Sequence, residues 1–298
     1  MDLYKKIWRI IAILGVICMI TAGCKGKSEK GDLKTPLEEM TFSFITVGKG
    51  DAFLLEIPHQ GYYMFDTGKK EDWKQIKAVL QKKSVRELKG LFLSHGHKDH
   101  VGNMEKILQE FPVEAVYISG KDTVSYKEVD VYDIAKKAGV TVKKMQGGES
   151  LLLGKARIGV WIPKNEDKRN ENNNSMVLRI VYGNTEILLT GDMEMEEEAQ
   201  YLAENIKIQA DILKLGHHGE TDATSITLLE RVKPEYGLIT GNEEENPDSV
   251  NPEIAARLSA YKVEPVYSEG EQLAIDFISD GISIRTEKLE KKQLGRNG

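Results

Sequence analysis

Apolar residues gather along this chain in runs of strand length, broken by Gly, Asn and Pro. In the first half such runs lie at Thr41–Val47, Ala52–Ile57, Tyr62–Phe65, Gly90–Ser94, Val113–Ile118 and Ala156–Ile162. The second half adds Met176–Tyr182, Glu186–Thr190, Asp211–Leu215, Tyr236–Thr240, Leu273–Ile278 and Gly281–Arg285. Short apolar or alternating segments bounded by turn residues predict β-strands. Apolar positions three and four apart predict helices instead, at Trp73–Lys83, Met104–Phe111, Asp130–Ala138, Met195–Glu204, Ser225–Val232 and Pro252–Tyr261. Strand hairpins come first, and strands then alternate with helices in two halves. That order predicts an α/β fold of two packed sheets with helices outside. Lys164–Asn174, which carries five asparagines, reads as a loop. No linker interrupts the pattern, so one domain is expected over residues 40–288, with a polar tail over 289–298.

The first 39 residues follow neither pattern. Lys5, Lys6 and Arg9 precede an apolar run from Ile10 to Ile20, and Thr21-Ala22-Gly23-Cys24 follows it. A basic start, a short apolar stretch and small residues before a cut site describe an export signal. The run is 11 residues, against the roughly 20 that a membrane-spanning helix needs. The Ala-Gly-Cys step resembles a bacterial lipoprotein signal, with Thr21 where Leu is usual. The resemblance implies a signal peptide over 1–23 and lipid on Cys24, so that the chain is attached to the extracytoplasmic face of the membrane. An uncleaved N-terminal signal anchor is the alternative. Residues 24–39 are polar, with Gly, Lys, Ser and a Pro, and are expected to form a flexible linker.

Composition narrows the picture further. At 298 residues, 40% hydrophobic and 30% charged, the chain can bury a sizeable core. It is not a polytopic membrane protein, a collagen-like repeat, a disordered acidic tail or a disulfide scaffold. Of its two cysteines, Cys18 would leave with the signal and Cys24 would carry lipid. Cysteine catalysis and cysteine-ligated metal are thereby excluded from the domain. A formal charge of -6 argues against strong non-specific affinity for DNA. The lysine-rich stretch from Lys69 to Lys89 is interspersed with acids and reads as a solvated face.

Five of the six histidines fall into two clusters. Ser94-His95-Gly96-His97-Lys98-Asp99-His100 directly follows a predicted strand, and His217-His218 follows another. Four potential ligands within six residues cannot face one way on a strand or helix, but a tight loop at a strand end can wrap them around metal. Imidazole and carboxylate donors without thiolate suit zinc, with manganese or iron as alternatives. His59, after Pro58 in a hairpin, is expected in solvent.

The His-x-His-x-Asp-His motif resembles that of the metallo-β-lactamase superfamily of metallohydrolases. Phe65-Asp66-Thr67-Gly68 and Thr190-Gly191-Asp192 stand in the order of that family's other marks. The resemblance covers Thr41 to Arg285 and implies a four-layer αββα sandwich with a site for two divalent ions at one edge. It implies Asp192 as the aspartate shared by both ions, and Asp66 and Asp51 as supports behind the ligands. Within the superfamily the chain is most similar to the hydrolase domain of the ComEC/Rec2 competence proteins. Val47–Ala52, Asn173–Leu178, Leu188–Asp192 and Leu213–Gly219 carry that likeness. It departs at Lys49, where Gln is usual, at Glu220, where Ser is usual, and at Asn246–Pro252, which has no histidine.

No histidine lies between His100 and Asp192, which sets the chain apart from lactamases, lactonases and glyoxalases. The first ion is expected on His95, His97 and Asp192, with water or a group from the Asn174-Ser175 loop. The second is expected on Asp99, His100, Asp192 and one of His217 and His218, because neighbours on an extended segment point opposite ways. We assign His217 to the metal and His218 to the substrate side, with Asp99 also orienting the attacking water. Two divalent cations make hydroxide available near neutral pH and clamp an anionic oxygen. A phosphodiester is the substrate class this suits, with DNA and teichoic acid or its phosphorylcholine decoration as examples. The rival expectation is a catalytically weak surface module that binds a phosphorylated ligand.

Overall fold

The computed structural model describes residues 33–121, 129–204, 206–241 and 251–291. The signal peptide expected over 1–23, with Cys24 and most of the linker, lies outside the described residues. In chain order the strands are β1 (Met40–Ile45), β2 (Phe53–Ile57), β3 (Gly61–Phe65), β4 (Gly90–Leu93), β5 (Ala115–Ser119), β6 (Thr141–Met145), β7 (Ser150–Leu153) and β8 (Ala156–Trp161). They continue as β9 (Val177–Tyr182), β10 (Thr185–Leu189), β11 (Ile212–Lys214), β12 (Tyr236–Ile239), β13 (Glu264–Tyr267), β14 (Ala274–Ser279) and β15 (Ile284–Leu289).

These strands pair into an eight-stranded sheet, β15-β14-β1-β2-β3-β4-β5-β6, and a seven-stranded sheet, β13-β12-β11-β10-β9-β8-β7. Each sheet has an antiparallel half built from hairpins and a parallel half, β3 to β6 in one and β10 to β13 in the other. Parallel neighbours need crossover connections, and helices supply most of them.

Alternation along the strands divides the apolar residues between layers. Phe42, Phe44, Phe53, Phe65 and Phe92 of one sheet meet Ile158, Ile180, Ile187 and Ile212 of the other. The rings pack in a row, with Phe42–Phe53 centroids 5.4 Å apart, Phe65–Phe92 5.1 Å and Phe92–Tyr117 4.4 Å. Outside the first sheet lie helices Trp73–Lys82, Met104–Glu110 and Val131–Ala138, and outside the second lie Met195–Ala203, Ile226–Val232 and Pro252–Ala260. The result is the four-layer αββα sandwich. Several helix ends are set by local chemistry. Asp130 and Ser225 accept from the backbone three residues on, and Asn251 caps a helix that begins with Pro252. Among the described residues no helix is long and apolar enough to cross a membrane.

Three strands were absent from the sequence reading: β6, β7 and β13. Each is the edge of its sheet. An edge strand buries less and carries charge or Pro, as in Thr-Val-Lys-Lys-Met of β6 and Glu-Pro-Val-Tyr of β13. The fourth edge, β15, begins at Ile284 rather than Gly281. The linker expected over 24–39 also ends early. Leu37 N–H donates to Asp280 O at 2.7 Å, and Tyr182 Oη donates to Glu38 O at 2.5 Å, so the stretch from Leu33 lies against the domain.

Glu197, on helix Met195–Ala203, is 2% exposed, and its Oε1 has no hydrogen-bond partner among the described residues. Burial, then the charges of Asp167 and Glu196, push its carboxyl up to about 7. A raised carboxyl binds more protons folded than unfolded, so stability falls as pH rises from its ordinary value of 4.5 through 7. Glu197→Gln is therefore expected to stabilise the protein by about 1–3 kcal/mol at pH 8. At pH 4 the gain should vanish. Urea unfolding at the two pH values checks this, and equal gains at both would refute it.

Candidate metal centre

Strand ends from both sheets meet at one edge of the sandwich. Asp66 follows β3, the His95–His100 loop follows β4, Asp192 follows β10 and His218 follows β11. Asp51 enters from the β1–β2 connection, with its N–H on Asp99 O at 3.1 Å. These are the carboxyl ends of the parallel strands, where ligand sites of open α/β sheets form. Thr67 sews two of the loops together. Its Oγ1 donates to His100 O at 3.0 Å and accepts from Asn103 N–H at 3.1 Å. Gly102 permits the close approach, since a Cβ there would lie 2.5 Å from Lys98 O and 2.7 Å from Gly68 O.

The side chains converge on one atom, Asp192 Oδ2. His100 Nε2 and His218 Nε2 lie 3.1 Å from it, and His95 Nε2 lies 3.8 Å away. His97 Nδ1 is 3.1 Å from His95 Nε2, and Asp99 Oδ2 is 3.2 Å from His218 Nε2. His95, His100, His218 and Asp192 are buried, Asp99 is half-buried and His97 is exposed. Two donor groups share Asp192, one of His100, His218, Asp51 and Asp192, the other of His95, His97 and Asp192, and a third, of Glu194, His217 and Asp222, lies at the rim.

A layer behind the imidazoles fixes their orientation. Asp66 Oδ2 lies 2.9 Å from His100 Nδ1 and takes Ser94 Oγ–H at 2.8 Å. His218 Nδ1 is 2.9 Å from Thr240 Oγ1 and 3.5 Å from Asp51 Oδ1. Asp51 also stands 3.8 Å from His100 Nδ1, on the rear of both rings. Ser175 Oγ accepts the Asp192 N–H at 3.0 Å. Asp66 and Asp51 thus lie behind the imidazoles, and Ser175 behind Asp192.

Two expectations change. The structure reverses the histidine pair. His218 is fully buried and turned to Asp192, whereas His217 is at the rim with Nδ1 3.0 Å from Asp222 Oδ1 and 3.7 Å from Glu194 Oε1. The segment is not extended: His217 (φ 43°, ψ 51°) and His218 (φ 57°, ψ 16°) form a left-handed turn, so alternation along a strand does not govern them. Asn174 also turns away from the centre, because Asp167 N–H donates to its Oδ1 and its Nδ2 donates to Asp167 O, both at 2.8 Å.

One residue of the centre had no role in the sequence reading. Lys214, fully buried at the end of β11, places Nζ 2.9 Å from Asp192 Oδ1 and 3.0 Å from Asp51 Oδ2. Its signal was a lysine on the inward face of an apolar strand, two residues after Ile212.

Burial would raise the Asp192 carboxyl, but the His100 and His218 rings and Lys214 hold it well below the ordinary value. Burial, then the neighbouring His100, presses His95 and His97 down, which leaves both neutral and ready to donate a lone pair. For His100 and His218 burial is overcome by Asp192 and the carboxylates beside it, and His218 is pushed up to about 10. His100 Nε2 and His218 Nε2 are nonetheless buried without a hydrogen-bond partner among the described residues. Orphaned imidazole nitrogens around a shared carboxylate oxygen are a donor set that fits divalent cations.

Asp192 depends on the glycine before it. Gly191 has φ +54°, and a Cβ there would lie 2.8 Å from Ser175 Oγ and 3.0 Å from Ser94 Cβ. Gly191→Ala is expected to cost about 1–3 kcal/mol from backbone strain, with the steric overlap adding to it. Urea unfolding of the metal-free protein measures it, and a loss below about 0.5 kcal/mol would contradict this packing.

Comparison with known proteins agrees with the geometry. The family model of the metallo-beta-lactamase superfamily matches residues 45–240. The chain is 28% identical over 216 residues to ComE operon protein 3 of Bacillus subtilis, covering 67% of this chain and 28% of that protein. It is 28% identical over 251 residues to Recombination protein 2 of Haemophilus influenzae, covering 81% and 29%. The chain thus spans less than a third of the length of the curated relatives it matches. Among solved structures, the metallo-beta-lactamase fold protein YhfI from Bacillus subtilis superposes with a TM-score of 0.55 at 13% identity, over 81% of this chain and 100% of that one. The chain belongs to the metallo-beta-lactamase superfamily.

Proposed function

We propose that the protein is a metal-dependent hydrolase of phosphodiesters, tethered by lipid on Cys24 to the outer face of a cell membrane. The observation that carries the reading is the convergence of three imidazoles on Asp192 Oδ2, with two buried Nε2 atoms that make no hydrogen bond among the described residues. His100, His218, Asp99 and Asp192 would hold one zinc ion, and His95, His97 and Asp192 a second. When bound, such ions act as Lewis acids that lower the pKa of water and draw charge from phosphoryl oxygens. The second group of donors is short of protein ligands and opens towards solvent through the exposed His97. An anionic diester oxygen completes it, which supports this substrate class over neutral esters. Asp99 accepts a hydrogen bond from the attacking water and orients it, while the water's proton passes to solvent. His217, with Nδ1 engaged by Asp222, stands at the rim and donates a proton to the leaving oxygen.

DNA and cell-wall teichoic acid are two sources of this chemistry. Relatedness to ComE operon protein 3 and Recombination protein 2 supports the first, and the lipid anchor read from Thr21–Cys24 supports the second. The alternative, a surface module that binds a phosphorylated ligand without turnover, becomes an outcome of the test.

The chain from Lys25 onward is expected to release nitrophenolate from bis(p-nitrophenyl) phosphate with added zinc or manganese, and to stop when a chelator is added. Folded, metal-loaded protein without turnover would favour the binding module. His218→Ala and His97→Ala should each cut the rate at least a hundredfold, the first with loss of bound metal. His217→Ala should keep its metal. Full activity in His97→Ala would sink the reading. Separately, radiolabelled palmitate should enter the full chain expressed in a bacterium and not the Cys24→Ala variant. Equal labelling of both would remove the lipid anchor.

A further inference from the structure

Lys214 keeps its ammonium group inside the protein, where it is fully buried. Nζ donates to Gly191 O at 2.6 Å and to Asp192 Oδ1 at 2.9 Å, and it pairs with Asp51 Oδ2 at 3.0 Å. The group is closed off from solvent by these partners, so whatever Lys214 does it does through them. The attachment is reciprocal, because Thr190 Oγ1 donates to Lys214 O at 2.8 Å and locks the end of β10 to the end of β11.

The consequence falls on Asp192. A carboxylate free to rotate offers either oxygen, or both at once. Here Oδ1 is held by Lys214 and the N–H of the same residue by Ser175, so Oδ2 alone faces His95, His100 and His218. Burying an ammonium this deeply is costly unless it is fully paired, and full pairing is what the structure supplies. We infer that Lys214 is the positioning residue of the metal centre, a fixed internal cation that makes Asp192 a single-oxygen bridge between the two donor groups. The inference rests on the metal-binding reading of the proposed function.

The two groups do not depend equally on that bridge. The inner one keeps His100 and His218, with Asp51 behind them and Asp99 3.2 Å from His218 Nε2, whatever Asp192 does. The outer one has only His95 and His97 besides Asp192. Loss of orientation therefore weakens the outer ion first.

Lys214→Met, which fills the same buried space without charge, tests this. The full chain in detergent is stripped with chelator and titrated with zinc, and bound zinc is counted by mass spectrometry after desalting. Wild type is expected to retain two ions. Lys214→Met should retain one, with affinity for the second lowered at least tenfold, and the cobalt-substituted protein should lose part of its visible absorption. Lys214→Gln, which keeps a donor for Oδ1, should recover some of the second ion. Two ions at wild-type affinity in Lys214→Met would overturn the inference, as would tighter binding of both, which is the signature of charge repulsion alone. Failure of both variants to fold also overturns it, making Lys214 a structural anchor. Wild type that binds no zinc would instead refute the metal-binding reading itself.

Discussion

The structure around the site answers to one constraint: carboxylates that are buried together repel, and each must find positive charge. Asp51, Asp66 and Asp192 are each less than 5% exposed, and Asp99 stands beside them. Lys214 is the fixed cation that reaches two of the four. The remaining compensation comes from imidazoles, which is why His100 and His218 are pushed up, while burial and the neighbouring His100 press His95 and His97 down. The inner pair thus stands among the carboxylates where cations would otherwise sit, and the outer pair presents bare nitrogens.

The sandwich meets that constraint by bringing strand ends from two sheets to one edge. Each sheet supplies a different kind of part. The first contributes the imidazoles of the His95–His100 loop and the carboxylates behind them, and the second contributes Asp192, Lys214 and His218. The carboxylates of the first sheet take their partners from the second, Asp51 from Lys214 and Asp99 from His218, so the complete centre needs both sheets packed over the inter-sheet core of phenylalanines and isoleucines. Asp66, His217 and His218 at this junction have left-handed backbone (φ 52°, 43° and 57°). Non-glycine residues hold such angles only where surrounding contacts over-determine them, as Ser94, Thr240 and Asp222 do here.

Which features were legible in the sequence follows from the same physics. Interior strands bury both faces and announce themselves as apolar runs, so their placement needed little beyond pattern. The four sheet edges are where the pattern misled, since β6, β7 and β13 were missed and β15 was set too early. A strand with one open flank is under less pressure to be apolar. At the site, a dense motif such as His95–His100 survives translation into space because its residues are close in sequence. The His217–His218 pair did not, because its orientation depends on a left-handed turn that no residue type in the segment dictates. Lys214 was hidden differently. A lysine after two strand residues reads as a surface position, and only the carboxylates arriving from two other loops make it an interior one.

Two of the departures from the ComEC-like pattern, Lys49 and Glu220, prove to be neighbours. Lys49 Nζ lies 3.2 Å from Glu220 Oε1, one reaching from the β1–β2 connection and the other from the loop after β11. Taken singly, each departure suggests a site drifting away from function. Found together, they form one ion pair spanning the two sheets at the rim. The pair is partly exposed, with 28% and 22% of the side chains accessible, so it adds about 0–1 kcal/mol to stability at most. Its larger effect is on the field at the mouth, where Glu220 Oε2 also stands 3.6 Å from His217 Nδ1. The two departures thus alter the charge at the rim and leave the buried donors around Asp192 intact.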